Sequence, residues 1–464
     1  MKCNGAAQRA GQFLRKVGQN NPMRVIVGSF LVVILCGTLL LMLPLSSRTG
    51  HWTPPLNAMF TATSATCVTG LVVYDTYTQF STFGQVIILL LIQIGGLGLV
   101  TLTTFFNVAI GRRLGFKSLR LASESINLAD PSKARSLLGF VMRVAFSFEA
   151  VGAVLLGFVF VPQFGTQGIF IAVFTAISAF CNAGFDILGR VAPGSSLRLY
   201  AGNPFVLLVV MLLIISGGLG FLVWNDLAHY RKNRRLRTHT KLVLTLTGLL
   251  IVLGTVGVAI LEWNNPGTLG GMDGPHKVLN AMFSSVTART AGFDTFDMDK
   301  LTVTSKMLMV VLMFIGAAPG GTGGGIKVTT ISVILVAVAG VARGRDEATI
   351  FSRRLDHKTV YKSLTIVTLA FGVVIVSTLA IFFNTGQDVS ELNALFEAVS
   401  AFATVGLTVG ATSHMQAAAL CVTMLTMLIG RVGPVTMALT LSARPGEKRG
   451  AGNTVAPQAQ ITVG

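Results

Sequence analysis

The segment "FTATSATCVTGLVV" occupies residues 60 to 73, and the chain repeats its pattern three more times. The copies are "FTAISAFCNAGFDI" at 174 to 187, "FSSVTARTAGFDTF" at 283 to 296 and "FEAVSAFATVGLTV" at 396 to 409. Each has about ten helix-compatible residues, a stretch of small or hydroxyl-bearing residues, and one glycine followed by Leu or Phe. The glycines, Gly70, Gly184, Gly292 and Gly406, are 114, 108 and 114 residues apart. This spacing predicts a fourfold internal repeat.

The composition places these repeats in a membrane. Of the 464 residues, 52% are hydrophobic and 12% are charged, and the mean hydropathy is +0.71, which excludes an ordinary soluble globular protein. Eight apolar runs can each cross a bilayer as a helix, since about 20 residues suffice. They lie near 25–45, 83–110, 137–161, 205–225, 242–262, 306–340, 363–384 and 413–441. The first is longer than a signal-peptide core and lacks an A-x-A site, so we expect it to be retained.

The basic residues predict the orientation of these spans. The net charge is +18, and 27 of the 36 Lys and Arg residues lie in the termini or in alternate loops. The positive-inside rule therefore predicts that both termini are cytoplasmic. It also accounts for "HYRKNRRLR" at 229 to 237 as an inner loop rather than a nucleic-acid patch. Ten of the 18 acidic residues fall on the outer side, where they would concentrate cations.

The four repeated segments are too long for simple turns and too short to span. Non-helical backbone at membrane depth is tolerated only where it is buried in protein or lines a watery cavity. The sequence thus predicts an all-α integral membrane protein with eight transmembrane helices and four re-entrant pore helices around a central ion pore. Carbonyl oxygens near each glycine could replace the water shell of an ion. Close packing of helices is the alternative explanation for one such glycine, but it does not require the same pattern four times.

Each repeat also has a glycine cluster in its second span. The clusters are "IGGLG" at 94–98, "SGGLG" at 216–220, "PGGTGGG" at 319–325 and "IGRVGP" at 429–434. Arg431 occupies the place of the second glycine in the fourth cluster. An arginine in mid-span is costly unless it faces water or a partner. We expect an electrostatic barrier below the glycines; a structural ion pair or a snorkelling surface residue is the alternative.

The third cluster continues as "APGGTGGGIKVTT" at 318 to 330, which resembles a phosphate-binding loop. The match fails because Ile326 separates Gly325 from Lys327, whereas that loop needs Gly, Lys and a hydroxyl to be adjacent. Pro319 and five glycines instead predict a break in this span, while the equivalent spans of the other repeats are expected to be continuous. Lys327 could contact pore water or carbonyls, or anchor the lower half-helix.

Together, the four segments resemble those of the Trk/Ktr/HKT superfamily of potassium transporters, and within it the Ktr-type membrane subunit. The resemblance covers about residues 25 to 441. It implies a channel-like K⁺ pore whose selectivity filter holds K⁺ at the glycines; the filter residues would be Thr69, Gly70, Ala183, Gly184, Ala291, Gly292, Val405 and Gly406. It also implies an intramembrane gate loop, with Arg431 in the ion path and Lys327 at the downstream edge of the loop. The gate-loop residues would be Gly316, Ala317, Ala318, Pro319, Gly320, Gly321 and Thr322.

The same resemblance implies partners. Such subunits usually form homodimers, are controlled by a cytoplasmic ring of nucleotide-binding RCK subunits of the KtrA type, and often respond to Na⁺. We expect the nucleotide to bind that partner rather than this chain, whose longest inner loop is under 35 residues. A secondary transporter with a midplane site and a membrane-embedded hydrolase or NTPase are the rival functions. A secondary transporter would have inverted repeats, whereas the four half-spans here are all expected to enter from the outer side. The sequence contains no metal-binding constellation or complete phosphate loop, so we expect no enzyme.

Expectations also follow for two further charged residues. Arg289 precedes the third glycine by three residues, and we expect it to form an outer-rim salt bridge with Asp294 or Glu397. We expect Glu149, in the middle of a span, to pair with polar groups. The predicted units are 1–24 (cytoplasmic tail), 25–110, 137–225, 242–340 and 363–441 (pore repeats 1 to 4), 111–136, 226–241 and 341–362 (basic cytoplasmic loops), and 442–464 (a disordered cytoplasmic tail).

Overall fold

The structure is a computed structural model, and it describes residues 22–98, 101, 134–344, 347–351, 353–385 and 389–442. The predictions for the N-terminal tail before residue 22, for 99–100 and 102–110 of the first pore repeat, for 111–133 of the first basic loop and for the tail after residue 442 lie outside the described residues. The described chain is mostly helical.

In chain order, the described helices are α1 (Pro22–Met42), α2 (Pro55–Cys67), α3 (Thr76–Gln79), α4 (Thr82–Leu97), α5 (Ala134–Phe164), α6 (Gln167–Phe180), α7 (Pro204–Gly218), α8 (Phe221–Ala228), α9 (Tyr230–Asn233), α10 (Thr238–Glu262), α11 (Gly274–Thr287), α12 (Val303–Phe314), α13 (Val328–Ala342), α14 (His357–Phe383), α15 (Glu391–Ala403), α16 (Ala417–Val432) and α17 (Pro434–Ser442). A short antiparallel pair, β1 (Thr349–Ile350) and β2 (Arg353–Arg354), follows α13.

Each repeated segment forms a short helix between two apolar ones. We call these the half-span helices: α2, α6, α11 and α15. Each packs on the long helix before it, which is α1, α5, α10 or α14. The Phe residue that opens each copy, Phe60, Phe174, Phe283 or Phe396, is fully buried. The repeated phenylalanine therefore fixes the half-span helices against the rest of the bundle.

The four units close into a ring. The helix after each half-span also contacts the half-span helix of the next unit: α4 contacts α6, α7 contacts α11, α12 contacts α15, and α16 contacts α2. The last of these contacts joins the fourth unit to the first. The half-span helices therefore surround one axis.

In the second and fourth units, the span after the half-span helix is more broken than the sequence predicts. Among the described residues, four helices are long and apolar enough to cross a membrane: 24–42, 137–164, 238–262 and 357–383. There are up to six if two bent pairs each count as one span. One pair, α7 and α8, bends by 95°, and the other, α16 and α17, bends by 102°.

The expected break in the third unit is confirmed, because α12 ends at Phe314 and α13 begins at Val328. The expectation that the corresponding spans of the second and fourth units are continuous is wrong. For the first unit, residues 99–100 and 102–110 of that span lie outside the described residues. Gly220 has φ +86° and Gly433 has φ +97° at the two bends, a conformation outside the helical region that glycine adopts without steric cost. The last glycine of each of these two clusters therefore ends the helix.

Candidate ion pathway

The half-span helices end in the same backbone conformation. Two residues before each of the four repeat glycines, Val68, Asn182, Thr290 and Thr404 have φ values of 58°, 59°, 73° and 52°. The glycines themselves have φ values from +68° to +92°. Positive φ is uncommon for residues other than glycine and is most unfavourable for a β-branched side chain such as Val68. Four copies of this backbone mark a site that the surrounding packing maintains.

The four glycine segments form a closed ring, and each glycine faces the carbonyl of the next segment. A Cβ atom built on Gly70 would lie 2.5 Å from the carbonyl oxygen of Ala183, and one on Gly184 would lie 2.7 Å from that of Ala291. The series continues with Gly292 against the carbonyl of Val405, and it closes with Gly406 against that of Thr69. The eight predicted filter residues are therefore brought together, and no side chain larger than hydrogen fits at the glycines.

Hydroxyl groups hold these segments in place. The amide nitrogens of Gly70 and Gly406 donate to the hydroxyls of Ser64 and Ser400, both at 3.1 Å. In the other two units the hydroxyl donates instead, from Ser178 to the carbonyl of Phe185 at 2.6 Å and from Thr287 to that of Phe293 at 2.7 Å. Our sequence interpretation missed these four residues. Their signal is a hydroxyl six residues before the glycine, or five in the shorter third copy.

A ring of backbone carbonyls can coordinate a cation in place of its water shell. The C-terminal ends of the four half-span helices point toward the same ring, and each presents the negative end of its dipole. The site therefore combines oxygen ligands with a negative potential, which favours an alkali cation over an anion.

The acidic residues near the ring have partners of their own. Asp294 accepts from Arg198 through both carboxylate oxygens, at 3.1 and 2.8 Å. Burial raises the pKa of Asp294 to about 6, although Arg198 acts in the opposite direction. Glu397 accepts from the backbone of Val409 at 3.1 Å and from the hydroxyl of Thr412 at 2.7 Å. These contacts fasten the connections that lead away from the ring.

The expected salt bridge of Arg289 is wrong. Asp294 and Glu397 face the groups just described, and Nη1 of Arg289 donates to the backbone carbonyl of Thr247 in α10 at 3.2 Å. The side chain is buried. The sequence could not reveal this, because three residues of separation along the chain do not fix the direction in which the side chain leaves the half-span helix.

The segment predicted as a gate loop, 316–322, crosses to the second unit. The amide nitrogen of Ala318 donates to the carbonyl of Gly218 at 3.0 Å, and that of Thr322 donates to Gly217 at 3.1 Å. In return, the amide nitrogen of Phe221 donates to the carbonyl of Gly320 at 3.0 Å. The bend between α7 and α8 exposes the backbone groups that make these bonds. The loop is therefore held by a second unit of the ring.

Arg431 joins the loop to two more units. Its guanidinium donates to the carbonyl of Thr322 in the loop and to that of Gly95 in α4, and Nη2 lies 3.1 Å from the carbonyl oxygen of Gly96. No acidic partner is present among the described residues near it, so the alternative of a structural ion pair is not supported. Backbone carbonyls from the first and third units satisfy the guanidinium of the fourth.

Lys327 lies at the other end of the segment. Its ammonium donates to the carbonyl of Gly323 at 2.7 Å, and Lys327 is the residue immediately before α13. The sequence left two alternatives for Lys327, a contact with water or carbonyls and an anchor for the lower half-helix. The structure shows the contact with a carbonyl, and it shows it at the residue that precedes that half-helix.

The expected pairing of Glu149 is confirmed. Nε2 of Gln93, in α4, donates to the two carboxylate oxygens of Glu149, in α5, at 3.0 and 3.2 Å. The thiol of Cys181, three residues before Gly184, lies 3.9 Å from the same carboxylate. The network joins the first unit to the second behind the ring.

Comparison with known proteins agrees with this geometry. The model of the TrkH family, described as cation transport protein, matches residues 6–449. The chain belongs to this family. The TrkH family is a class of transporters rather than enzymes, and the apolar helices of this member are those of a multi-pass membrane protein.

The chain is similar to several named proteins. The chain is 39% identical to Ktr system potassium uptake protein B of Bacillus subtilis, over 91% of this chain and 93% of the relative. It is 35% identical to the potassium/sodium uptake protein NtpJ of Enterococcus hirae, over 96% and 97% of the two chains. The crystal structure of the potassium transporter TrkH from Vibrio parahaemolyticus shares the fold, with a TM-score of 0.69, 17% identity and coverage of 91% and 86%.

Proposed function

We propose that this chain is the ion-conducting subunit of a Ktr-type system and takes up K⁺ through a channel-like pore. The observation that carries the proposal is the closed ring in which Gly70, Gly184, Gly292 and Gly406 each face the carbonyl of the next segment. Four matched segments with carbonyls around one axis suit a desolvated alkali cation. The names of the Ktr and NtpJ relatives support K⁺ as the substrate.

The proposed architecture is fourfold. Residues 25–110, 137–225, 242–340 and 363–441 each supply two membrane crossings and one re-entrant pore helix, giving eight crossings in total. The basic loops 111–136, 226–241 and 341–362 and both tails then lie in the cytoplasm, as the positive-inside rule predicts. In this arrangement K⁺ enters from the outside, passes the filter, and meets the loop 316–322 and Arg431 on the way in. The membrane potential drives the uptake.

The loop and Arg431 form the closed gate in this proposal. The bonds from Ala318 and Thr322 to the second unit, and from Arg431 to Thr322, support this proposal. In it, backbone and a positive charge lie across the path beneath the ring. A guanidinium in the path of a cation raises the electrostatic barrier to its passage. Opening would require the loop to release these bonds. Lys327 would stabilise the closed loop through its bond to Gly323.

The proposed partners are a second copy of this chain and a cytoplasmic ring of RCK subunits of the KtrA type. The word "system" in the name of the Bacillus relative supports a second component. The partner would bind the regulatory nucleotide and move the gate from below. Coupling to Na⁺ is proposed from the name of the potassium/sodium relative.

Uptake assays test this function. We would express the chain with and without its regulatory partner in a bacterium that lacks K⁺ uptake, and measure uptake of K⁺, Na⁺ and Rb⁺. The proposal predicts K⁺ and Rb⁺ uptake that collapses with the membrane potential. Uptake that requires stoichiometric exchange with a second substrate would favour a secondary transporter instead. ATP binding by the isolated chain would favour the enzyme alternative.

A further inference from the structure

A small cavity lies behind the ring, between the second and third units. Its volume is about 20 Å³, and its apolar walls include Ile214, Ile251 and Val286. A cavity needs roughly 10–15 Å³ by this measure to hold one water molecule. The volume therefore admits a water molecule or a monatomic ion, and it excludes a lipid headgroup or a nucleotide.

Among the described residues, two polar side chains in this apolar wall have atoms without hydrogen-bond partners. Arg289 and Thr247 both line the cavity, and each is about nine-tenths buried, with 7% relative exposure. Nε of Arg289 and the hydroxyl of Thr247 have no hydrogen-bond partner. The single bond of the guanidinium, from Nη1 to the carbonyl of Thr247, leaves most of its five donors unused.

The charge of Arg289 is also uncompensated. No carboxylate of the described residues lies within ion-pair distance of it. Asp294 pairs instead with Arg198, and Glu397 accepts from hydroxyl and amide groups. The C-terminal end of α11, two residues before Arg289, supplies a partial negative charge. That end offers no acceptor to the free Nε. A buried charge without a partner is costly, so buried charges in proteins are normally paired.

We propose that a single small monovalent anion, such as chloride, binds in this cavity to the guanidinium of Arg289 and the hydroxyl of Thr247. The anion uses the free donors and neutralises the buried charge. Three of the lining residues, Ile215, Gly218 and Ile251, are only partly buried. The ligand class follows from the size of the cavity and the donor chemistry of its two polar residues.

The cavity adjoins both the ring and the loop. Its lining includes Gly218 and Ala317, which belong to the bend and to the loop that crosses to it. A Cβ atom on Gly218 would lie 3.4 Å from Nδ2 of Asn182, two residues before the second ring glycine. An anion at Arg289 would lower the positive potential that a cation experiences in the ring. This consequence rests on the proposed function, whereas the binding site does not.

The binding arm uses the purified full-length chain in detergent. We would measure its thermal unfolding as chloride replaces gluconate at constant K⁺ and ionic strength. A ligand that binds the folded state raises the unfolding temperature. We expect a saturable rise in the wild type, its loss in Arg289→Gln, and its persistence in Arg198→Gln, a matched variant whose arginine is paired with Asp294. An unfolding temperature independent of chloride, or an equal rise in Arg289→Gln, would overturn the proposal.

A second variant keeps the test decisive if Arg289→Gln does not fold. Thr247→Val retains the shape and leaves the positive charge of Arg289 in place but loses the hydroxyl, and we expect chloride affinity to weaken by about tenfold or more, since one hydrogen bond to a charged acceptor is lost. Crystals grown in bromide should show one anomalous peak beside the guanidinium. Unchanged affinity in Thr247→Val, or water without bromide at this position, contradicts the proposal.

The flux arm separates this inference from the proposed function. In proteoliposomes that also contain the regulatory partner subunit, we expect Rb⁺ uptake to fall several-fold when gluconate replaces chloride in the wild type, and to be insensitive to that exchange in Arg289→Gln. If chloride stabilises the protein but no Rb⁺ uptake occurs, the anion site stands and the transport proposal fails. If Rb⁺ uptake occurs but chloride affects neither stability nor flux, the anion site fails alone.

Discussion

Arg431 and Gly96 join the fourth unit to the neighbouring first unit, since Nη2 of the arginine in α16 donates to the glycine carbonyl in α4 at 3.1 Å. The same guanidinium holds Thr322 of the loop. One side chain thus ties together three of the four units beneath the ring. Its removal should have a larger effect on the loop than on the ring itself.

Arg431→Ala should raise Rb⁺ uptake several-fold. The substitution removes the positive charge that we propose to lie in the path, and it removes the bond that holds the loop at Thr322. Initial rates in cells with matched expression provide the measurement. Lys241→Ala, in the basic loop region, serves as the control and should leave the rate unchanged. An Arg431→Ala rate at or below that of the wild type would contradict the barrier.

Gly406→Ser should reduce the discrimination between K⁺ and Na⁺. A Cβ atom there overlaps the carbonyl oxygen of Thr69, so the ring must widen or tilt. Competition between Rb⁺ and Na⁺ in uptake assays measures the effect. Gly410→Ser is a matched control, because Gly410 has a similar φ of +87° but no atom within 4 Å of its Cβ position. Equal selectivity in the two variants would refute the filter assignment at Gly406.

Deletion of four residues, 318–321, should give high uptake without the regulatory partner. The deletion removes the groups of Ala318 and Gly320 that bond to the bend between α7 and α8. We would compare uptake with and without the partner subunit. The expected result is a high rate in both cases, whereas the intact chain should depend on the partner. Unaltered partner dependence would remove the loop from the gating mechanism.

Gln93→Leu should lower the free energy of unfolding by about 1–3 kcal/mol, because the buried carboxylate of Glu149 loses its amide donor. Denaturant unfolding in detergent micelles measures the change. Gln416→Leu provides a matched control on an exposed position, with an expected effect within about 0.5 kcal/mol. A Gln93→Leu effect as small as the control would mean that the network behind the ring contributes little.

Asp294→Asn should flatten the pH dependence of stability between about pH 4 and pH 6. The folded-state pKa of Asp294, about 6, lies above the usual range, so the folded chain keeps a proton that the unfolded chain releases. This contribution to stability is present below the unfolded-state pKa and is lost as pH rises toward 6, by up to about 1.4 kcal/mol per pH unit. Unfolding across this range measures the slope. Asp273→Asn, at an exposed position, should keep the wild-type profile, and a slope unaltered by Asp294→Asn would exclude this carboxyl as its source.

The sequence by itself determined the class of the protein and the place of its ring. Hydrophobic runs of spanning length, basic residues in alternate loops and one glycine in each of four copies are local patterns, and each follows from the chemistry of a few neighbouring residues. Gly70, Gly184, Gly292 and Gly406 could therefore be named in advance, and so could the break before Val328, because Pro319 and the surrounding glycines oppose a helix.

Tertiary structure alone decided which groups meet. The order in which each glycine faces the next carbonyl depends on how four distant half-span helices close around an axis, and no local pattern encodes that closure. The bends at Gly220 and Gly433 required the same context, since glycine in a helix permits a bend without imposing one. Arg289 turned to Thr247 rather than to Asp294 because Arg198, 91 positions earlier in the chain, already held that carboxylate. Side-chain direction and competition among distant partners are properties of the packed bundle.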